Sequence, residues 1–310
     1  MDEKYEIMNL LQVKQNLTKE LNNLVYGSIE IRENSSNRYI YVHYREDGIL
    51  LTKYVGEYSD ELHNLILNNT IKAKELKKEI KKIEKQLKKL NHIDEELSPE
   101  IKKNIDFAKR HLVDNIYNQA ILEGVATTFA DTESIIEGGK INNMSSEDVL
   151  KIVNLKHAWE FILNKNVILS DTNFPLLCEI NKFVEEGFYY NAGKLRSVPV
   201  SIGGTKWAPE LPIESIIKED IQNIFNMEIN DIDKAIELLL YVMKKQIFID
   251  GNKRTSIIFA NHYLISKGQG IIAIPANLTN EYKKLLINYY EGKDSTEIKK
   301  FLKEKCFIQI

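Results

Sequence analysis

The chain contains 310 residues, of which 43% are hydrophobic and 28% are charged, and its formal net charge is −3. This composition is ordinary for a globular protein with a sizeable core, and the length allows one large domain or two modest ones. The net charge argues against a partner such as DNA that would bind the whole surface electrostatically. It does not argue against local charged patches that bind such a partner.

The location of the protein is predicted from what the sequence lacks. Two cysteines cannot form a disulfide framework and are typical of a reducing compartment. The N-terminus has neither the basic flank nor the apolar run of a secretion signal, and no apolar run approaches the roughly 20 residues that a membrane helix needs. We therefore expect a cytoplasmic protein without a membrane contact.

Residues 1–70 are predicted to form a small β-containing N-terminal region after a short helical segment. Three runs rich in β-branched and aromatic residues, at 28–33, 38–45 and 49–55, are typical of an antiparallel sheet. Asp47-Gly48 between the last two runs is a strong hairpin signal, because both residues tolerate positive φ.

One face of this sheet is expected to be aromatic and basic. Tyr39, Tyr41 and His43 alternate with Ile40 and Val42, so that the two sets point to opposite faces. An ordinary amphipathic sheet is one interpretation. The other is a docking face for a protein or a nucleic acid, since aromatic rings stack on bases and cations attract phosphates.

Residues 71–97 are predicted to form a helical, lysine-rich connecting arm. A helix over 71–92 is indicated by an apolar seam with alternating four- and three-residue spacing, formed by Leu76, Ile80, Ile83, Leu87 and Leu90. Between residues 72 and 89 there are nine lysines and three glutamates. We interpret the lysines as the solvated face of a helix that packs on a neighbouring element or on a second subunit. In the second case the protein would be a homodimer.

Residues 98–310 are predicted to be helical almost throughout. Ser98-Pro99-Glu100 is typical of a helix start, with a serine N-cap, proline at the first position and an acid in the first turn. Apolar positions at three- and four-residue spacing predict helices in 101–122, 147–163, 174–185, 213–226, 231–243, 253–267 and 280–302. The segment 188–212, rich in glycine, proline and β-branched residues, is expected to be a short β-hairpin or an extended flap.

The segment from Gln246 to Ser256 joins two apolar helix patterns and is typical of a phosphate-binding turn. Asp250-Gly251-Asn252 is turn chemistry. Glycine lets the backbone approach a ligand closely, and the free N–H groups of the following helix face an anion. The segment is therefore predicted to hold a phosphate.

The charges of this segment strengthen the phosphate interpretation. Lys253 and Arg254 add two positive charges at a helix start that already carries about half a positive charge, where helix stability alone would favour acids. Asp250 supplies an oxygen at the place where Mg²⁺ would bridge the protein and a nucleotide. The alternative is an ordinary helix–helix turn in which Asp250 is a cap and the two cations are solvated.

The loop resembles the signature motif of the Fic/Doc family, which is His-x-Phe-x-Asp/Glu-Gly-Asn-Gly/Lys-Arg. The matching residues are Phe248, Asp250, Gly251, Asn252, Lys253 and Arg254. A second segment, 193–212, is similar to the flap with which the family aligns its target. The target-docking residues implied there are Arg196, Val200, Gly203 and Gly204.

The resemblance implies a mainly α fold. A Fic-fold helical core within 98–310 would carry a small β-hairpin flap and would follow the small antiparallel sheet and the lysine-rich helical arm. An inhibitory-helix-like segment is implied at about 125–140, because Ser134-Ile-Ile-Glu137-Gly138 resembles the family's inhibitory motif. Glu137 would be its regulatory residue.

The resemblance also implies what the loop residues do. Phe248 anchors the loop, Asp250 holds Mg²⁺, and Arg254 neutralises phosphate charge in the transition state. The anion hole is formed by Gly251, Asn252 and Lys253. Family members usually transfer AMP from ATP to a hydroxyl side chain of a target protein, with the motif histidine as the base, whereas Doc-type members move the γ-phosphate.

Gln246 stands at the position of the motif histidine and cannot accept a proton near neutral pH. Losing a general base typically lowers a rate by about 10²–10⁴-fold. His262 lies roughly 15 Å along the following helix and is too far away to replace it.

Ile257 is a second departure, because AMP-transferring members carry another arginine at this position. Together with Lys253, it makes the loop Doc-like. The missing arginine is the usual partner of the inhibitory glutamate. Glu137 is thus expected either to obstruct the γ-phosphate site by charge alone or to be a helix-end carboxylate without regulatory effect.

Several functions are compatible with these residues. The first is a Fic-type transferase for protein adenylylation that uses ATP and Mg²⁺, weak or conditional because of Gln246. The alternatives are a Doc-like phosphotransferase, a nucleotide-binding pseudoenzyme that interacts through its sheet and lysine-rich helix, and an enzyme that removes AMP with Glu137 orienting water. A nucleic acid is expected as a partner only through the N-terminal β region.

Overall fold

The computed structural model describes residues 3–34, 37–46, 49–90, 97–139 and 144–310. Its contacts divide the chain into two compact units, residues 1–93 and residues 94–310. Over the described part of the chain, no helix is long and apolar enough to cross a membrane. The predicted turn at Asp47-Gly48 lies outside the described residues.

The N-terminal unit contains two helices and a three-stranded sheet. Its elements are α1 (Glu3–Asn22), β1 (Ser28–Asn34), β2 (Asn37–Glu46), β3 (Ile49–Glu57) and α2 (Asp60–Lys89). The strands are antiparallel in the order β1-β2-β3, which confirms the predicted sheet. Ile40 and Val42 of β2 form a buried core with Ile66 of α2, so that Tyr39 and Tyr41 point to the opposite face of the sheet.

Helix α2 is longer than the sequence indicated. It starts at Asp60, and not near residue 71, because the Ser59 hydroxyl oxygen caps it by accepting the Leu62 N–H at 3.1 Å. The predicted apolar seam packs on α1 of the same unit, where Leu76 and Leu21 belong to one buried cluster.

The C-terminal unit is mainly helical, as predicted. Its helices are α3 (Pro99–Arg110), α4 (Leu112–Leu122), α5 (Phe129–Ile136), α6 (Ser146–Ile162), α7 (Lys165–Ile168), α8 (Phe174–Val184), α9 (Glu214–Phe225), α10 (Asp231–Lys245), α11 (Asn252–Ser266), α12 (Thr279–Tyr290) and α13 (Thr296–Phe301). A 3₁₀ turn (Ala276–Leu278) precedes α12, and a π-helical turn (Leu302–Cys306) follows α13. Two short strands, β4 (Ile271–Ile272) and β5 (Phe307–Ile308), pair antiparallel.

Helix α11 is the central helix of this unit, because every side chain from Arg254 to Ile265 is buried. Its histidine, His262, lies 2.9 Å from the Val167 carbonyl oxygen and 2.8 Å from the Thr172 hydroxyl. Burial lowers the pKa of His262 to about 4, so this residue is neutral and structural. The surrounding helices thus fix the position of the N-terminus of α11.

The flap at 188–212 contains no strand, although every residue in it is described. It is the extended flap of the two predicted alternatives rather than the β-hairpin. Three of its carbonyl groups accept hydrogen bonds from the Arg196 guanidinium. Arg196 Nη1 donates to the Val198 carbonyl at 2.9 Å, and Nη2 donates to those of Pro209 at 3.2 Å and Glu210 at 2.5 Å.

Candidate functional site

The candidate site is the loop that joins α10 to α11. At its ends are two residues with a left-handed backbone, Gln246 with φ of 47° and Gly251 with φ of 73°. Ile247 and Phe248 between them are fully buried, which anchors the loop in the core. The loop leads directly into the N-terminus of α11, where the first N–H groups of a helix have no intrahelical partner.

The side-chain amide of Asn252 holds the loop closed. Its Oδ1 accepts the Phe248 N–H at 2.9 Å, and its Nδ2 donates to the Phe248 carbonyl at 2.8 Å and to Gln246 Oε1 at 3.2 Å. Because this amide is used within the loop, Asn252 can offer an anion its backbone N–H rather than its side chain.

Gly251 is required by space as well as by backbone conformation. A Cβ atom at this position would lie 2.3 Å from Glu185 Oε1 and 3.0 Å from Val184 Cγ1. Other residue types also rarely adopt this positive φ. The absence of a side chain lets the Glu185 carboxylate, at the end of α8, lie directly against the loop.

Arg254 is the centre of a cluster of charges at the start of α11. Its Nη2 lies 2.7 Å from Glu185 Oε1 and 3.9 Å from Asp250 Oδ2, and its Nε lies 3.9 Å from Glu123 Oε2. Lys253 Nζ lies 3.4 Å from the Glu123 carboxylate. The side chains of Arg254 and Glu185 are only 3% and 1% exposed, so this ion pair is buried.

Two donor groups of Arg254 make no hydrogen bond in this cluster. Among the described residues, neither Nε nor Nη1 has a hydrogen-bond acceptor, although both atoms are buried. Buried donors are rarely without a partner in folded proteins. The neighbouring acceptors Glu185 Oε1 and Glu123 Oε1 are also buried without a hydrogen bond to a described residue, so the cluster has unpaired groups of both kinds. An anionic ligand at this helix N-terminus would satisfy the donors of Arg254 if it replaced these carboxylates.

The carboxyl group of Glu185 has an unusual proton affinity. Burial raises the pKa of Glu185 to about 7; Arg254 opposes this rise, and the carboxylates of Asp250 and Glu123 add to it. Near neutral pH, an anion would therefore compete for Arg254 with a carboxyl group that is only partly ionised.

The side chain of Gln246 is turned into the loop. Its Nε2 donates to the Met243 carbonyl at 2.6 Å, while its Oε1 accepts from Asn252. Both polar atoms therefore have internal partners, and neither can take up a proton from a substrate hydroxyl near neutral pH. Ile257, the second departure from the expected motif, is buried in α11.

The base of the flap is attached to the loop through Asn181 of α8, a residue that the sequence analysis missed. Asn181 Nδ2 donates to the Asp250 carbonyl and to Thr255 Oγ1, each at 3.1 Å, and its Oδ1 accepts the Gly193 N–H at 2.9 Å. One buried amide thus connects α8, the loop and the flap.

The predicted docking residues of the flap differ in their surroundings. Arg196 is buried, its N–H donates to the Ile247 carbonyl at 3.1 Å, and its Nε donates to the Gln246 carbonyl at 2.6 Å. Arg196 thus fixes the flap to the loop rather than presenting its charge to a target. Val200 is half-buried, whereas Gly203 and Gly204 are exposed, and these three remain as docking candidates.

Of the two helix-end glutamates that precede a glycine, Glu123 lies beside the loop cations, whereas Glu137, the predicted regulatory residue, does not. Glu123 follows α4 and lies beside Lys253, whereas Glu137 follows α5, is exposed and has no ion pair within the described ranges. Glu123 is followed by Gly124 at the end of a predicted helix, just as Glu137 is followed by Gly138. That repeated Glu-Gly signal could have identified both candidates.

Asp250 could hold a metal ion only if phosphate oxygens of a bound molecule and water supplied the other metal ligands. Its side chain is 54% exposed, and its Oδ1 already accepts the Gly251 N–H at 2.7 Å. Over the part of the chain that the structure describes, no group of three or more histidine, cysteine and acidic side chains is arranged to hold a metal. One carboxylate fits Mg²⁺, which is usually held by one or two carboxylates with phosphate oxygens and water.

Comparisons with known proteins give one family match and several structural neighbours. Residues 171–264, which include the loop and the flap, match the model of the Fic/DOC family. A comparison with curated protein sequences finds no match.

Several solved structures share the fold at low sequence identity. Fic-1 (residues 134–508) from C. elegans is 17% identical, with a TM-score of 0.53 over 78% of this chain and 80% of that chain. A Fic domain-containing signaling protein from Bacteroides thetaiotaomicron is 19% identical, with a TM-score of 0.53 over 68% and 86% of the two chains. A Fic family protein from Desulfovibrio desulfuricans is 13% identical, with a TM-score of 0.52 over 67% and 72%.

Proposed function

We propose that this chain, which carries a Fic/DOC-family domain at residues 171–264, is a Fic-type transferase that moves AMP from ATP to a hydroxyl side chain of a target protein. Its activity is weak or conditional, because Gln246 replaces the base. The proposal extends the family match to a specific donor, acceptor and metal.

The observation that carries this proposal is the state of Arg254. It is a buried cation at the N-terminus of a central helix, and among the described residues its Nε and Nη1 have no acceptor. Lys253 and the first N–H groups of α11 add to the positive potential at the same place. A triphosphate would take the place of the Glu123 and Glu185 carboxylates at these cations, and it would supply acceptor oxygens to the two unpaired donors of Arg254.

In the proposed reaction the hydroxyl oxygen of the target attacks the α-phosphorus of ATP. A new P–O bond forms, the bond to the β-phosphate breaks, pyrophosphate leaves, and the hydroxyl proton goes to solvent because Gln246 cannot take it. Arg254 and Lys253 neutralise the phosphates and so favour the charge that develops on the leaving group. Asp250 would hold Mg²⁺, which supplies further charge neutralisation when bound.

The proposal is tested with ATP labelled at the α- or the γ-phosphate, offered to the chain and to its Gln246→His variant together with candidate target proteins. Restoring a base should raise incorporation of the α-label by about 10²–10⁴-fold. Gln222→His, a change at an exposed position of α9, is the matched control and should leave labelling unchanged. Incorporation of only the γ-label would replace AMP transfer by Doc-like phosphate transfer, and absence of both labels would remove transfer altogether.

A second candidate is a nucleotide-binding protein without turnover. The observation that favours it is the engagement of both polar atoms of Gln246 within the loop. This candidate predicts that Mg²⁺-ATP binds to the wild-type chain while neither label is transferred, in the wild type or in Gln246→His. The two candidates therefore share the binding step and differ in the response to a restored base.

A further inference from the structure

The outer face of α2 carries a continuous stripe of exposed lysines, independent of the site described above. We call it the lysine stripe, and its members are Lys74, Lys78, Lys81, Lys82, Lys85, Lys88 and Lys89. At 100° per residue these positions fall within an arc of roughly 120°, and at 1.5 Å per residue they extend over about 22 Å. The arc lies opposite the buried positions Ala73, Leu76 and Ile83, so the stripe faces away from α1.

The stripe is not neutralised within its own unit. The three glutamates of this stretch, Glu75, Glu79 and Glu84, all fall outside the arc. Glu84 pairs with Lys14 of α1 at 3.1 Å, so its charge is used between the helices. None of the seven stripe lysines has an ion pair with any other described residue, and many of them are three or four residues apart. Like charges at such spacings destabilise a helix.

The rest of the chain has the opposite charge. Residues 72–89 contain nine lysines and three glutamates, whereas the remainder contains 33 basic and 42 acidic residues. A positive stripe on an otherwise acidic protein is not a device for general solubility. It is a local electrostatic surface that attracts a polyanion.

We propose that the lysine stripe binds the phosphate backbone of a nucleic-acid duplex without regard to base sequence. Lysine is a flexible point charge that contacts phosphates, and the arc offers no amide or guanidinium with which to distinguish bases. A duplex carries one negative charge per roughly 1.7 Å of its axis when both strands are counted, so 22 Å of duplex provides about 13 phosphates for the seven lysines.

Two other features of the unit favour this assignment over its alternatives. A membrane-surface helix needs apolar side chains on its exposed side, but between Lys74 and Lys89 the arc contains only lysines. The sheet, where the sequence placed a nucleic-acid contact, has its described arginines engaged. Arg32 pairs with Glu30 at 2.8 Å, and Arg38 lies over a tyrosine ring.

The test measures binding of a fluorescein-labelled 24-base-pair duplex of mixed sequence to the full chain, by anisotropy from about 50 to 200 mM NaCl, the range over which phosphate contacts are most salt-sensitive. The stripe variant is Lys78→Gln/Lys81→Gln/Lys85→Gln, which keeps good helix formers and removes repulsion, so its thermal stability should be equal or higher. The matched control is Lys102→Gln/Lys103→Gln/Lys109→Gln, three exposed lysines of α3 with the same loss of charge.

We expect the wild-type chain and the control to bind with log K falling linearly with log salt concentration. The stripe variant should bind at least about tenfold more weakly, with a slope shallower by about 2.7, since each lost phosphate contact removes about 0.9. Absence of duplex binding at the lowest salt concentration would overturn the proposal, as would equal losses in both variants. Binding to vesicles with anionic lipids or to an acidic polypeptide, without duplex binding, would overturn it in favour of that partner.

Discussion

The buried carboxyl group of Glu185 predicts an unusual dependence of stability on pH. Its pKa is raised from the ordinary 4.5 to about 7 in the folded chain, chiefly by burial. Between these two values the folded state holds a proton that the unfolded state releases. The stabilisation is therefore complete below pH 4.5, decreases as the pH rises, and is lost once the pH has passed about 7.

The size of this effect follows from the shift. A difference of roughly 2.5 units at 1.36 kcal/mol per unit corresponds to about 3 kcal/mol in the free energy of unfolding, most of it lost between pH 5 and pH 8. Replacing Glu185 by glutamine keeps the size and hydrogen-bonding capacity of the side chain but removes the titration. The change also leaves Arg254 without its partner. This loss lowers the free energy of unfolding by an amount that hardly depends on pH.

The assay is urea denaturation of the wild-type chain and of Glu185→Gln, followed by tryptophan fluorescence from pH 5 to pH 8. Both tryptophans, Trp159 and Trp207, lie in the C-terminal unit, so the signal reports the unit that contains Glu185. The difference in stability between the two proteins should change by about 2–3 kcal/mol over this range. Glu186→Gln, at the exposed neighbouring position, should run parallel to the wild type. Parallel curves for wild type and Glu185→Gln would refute the burial argument.

Three further changes test other contacts of the site. Gly251→Ala forces a left-handed backbone on alanine and a Cβ onto a buried carboxylate, so thermal denaturation should show a loss of about 2 kcal/mol or more; an unchanged melting temperature would contradict the geometry. Asn181→Ala leaves buried partners unpaired and should cost about 1–3 kcal/mol, and a urea titration that finds no change would mean that water replaces the amide. Glu123→Gln removes the acid beside the loop cations, so Mg²⁺-ATP affinity measured by calorimetry should rise by about tenfold, or 1.4 kcal/mol, whereas Glu137→Gln should leave it unchanged; the reverse order would restore the first regulatory candidate.

Local chemistry made the loop predictable from sequence. Gly251 lies at a turn between two apolar helix patterns, and the structure gives it the positive φ that turn chemistry requires. Lys253 and Arg254 follow at the start of α11, so their closeness to the turn could be predicted from their sequence positions alone. The same holds for the sheet, whose strands were marked by alternation between buried and exposed positions.

Contacts between distant parts of the chain were not predictable in this way. Glu123 and Glu185 reach Arg254 only because α4 and α8 end beside the start of α11. Both glutamates are far from Arg254 in the sequence, and no local pattern predicts these contacts. Periodicity also could not decide between Glu123 and Glu137, since each ends a helix and precedes glycine.

The secondary structure of the flap also could not be decided from the sequence. Its β-branched residues favour strands, but a strand forms only where another backbone offers hydrogen bonds. No described strand pairs with this segment, and three of its carbonyl groups accept hydrogen bonds from Arg196 instead. A preference for strands in the local sequence was therefore not enough to predict the conformation of this segment.

Calorimetry of Mg²⁺-ATP with the wild-type chain and with the double variant Arg254→Gln/Glu185→Gln tests the account most directly. The double change removes both members of the buried ion pair, so no uncompensated charge is left in the core, and Glu185→Gln alone controls for the acid. We predict saturable binding to the wild type and to Glu185→Gln, and at least about tenfold weaker binding to the double variant. Equal affinities in all three proteins, or no binding to the wild type at about 1 mM ligand, would contradict the claim that this loop holds a nucleotide's phosphates.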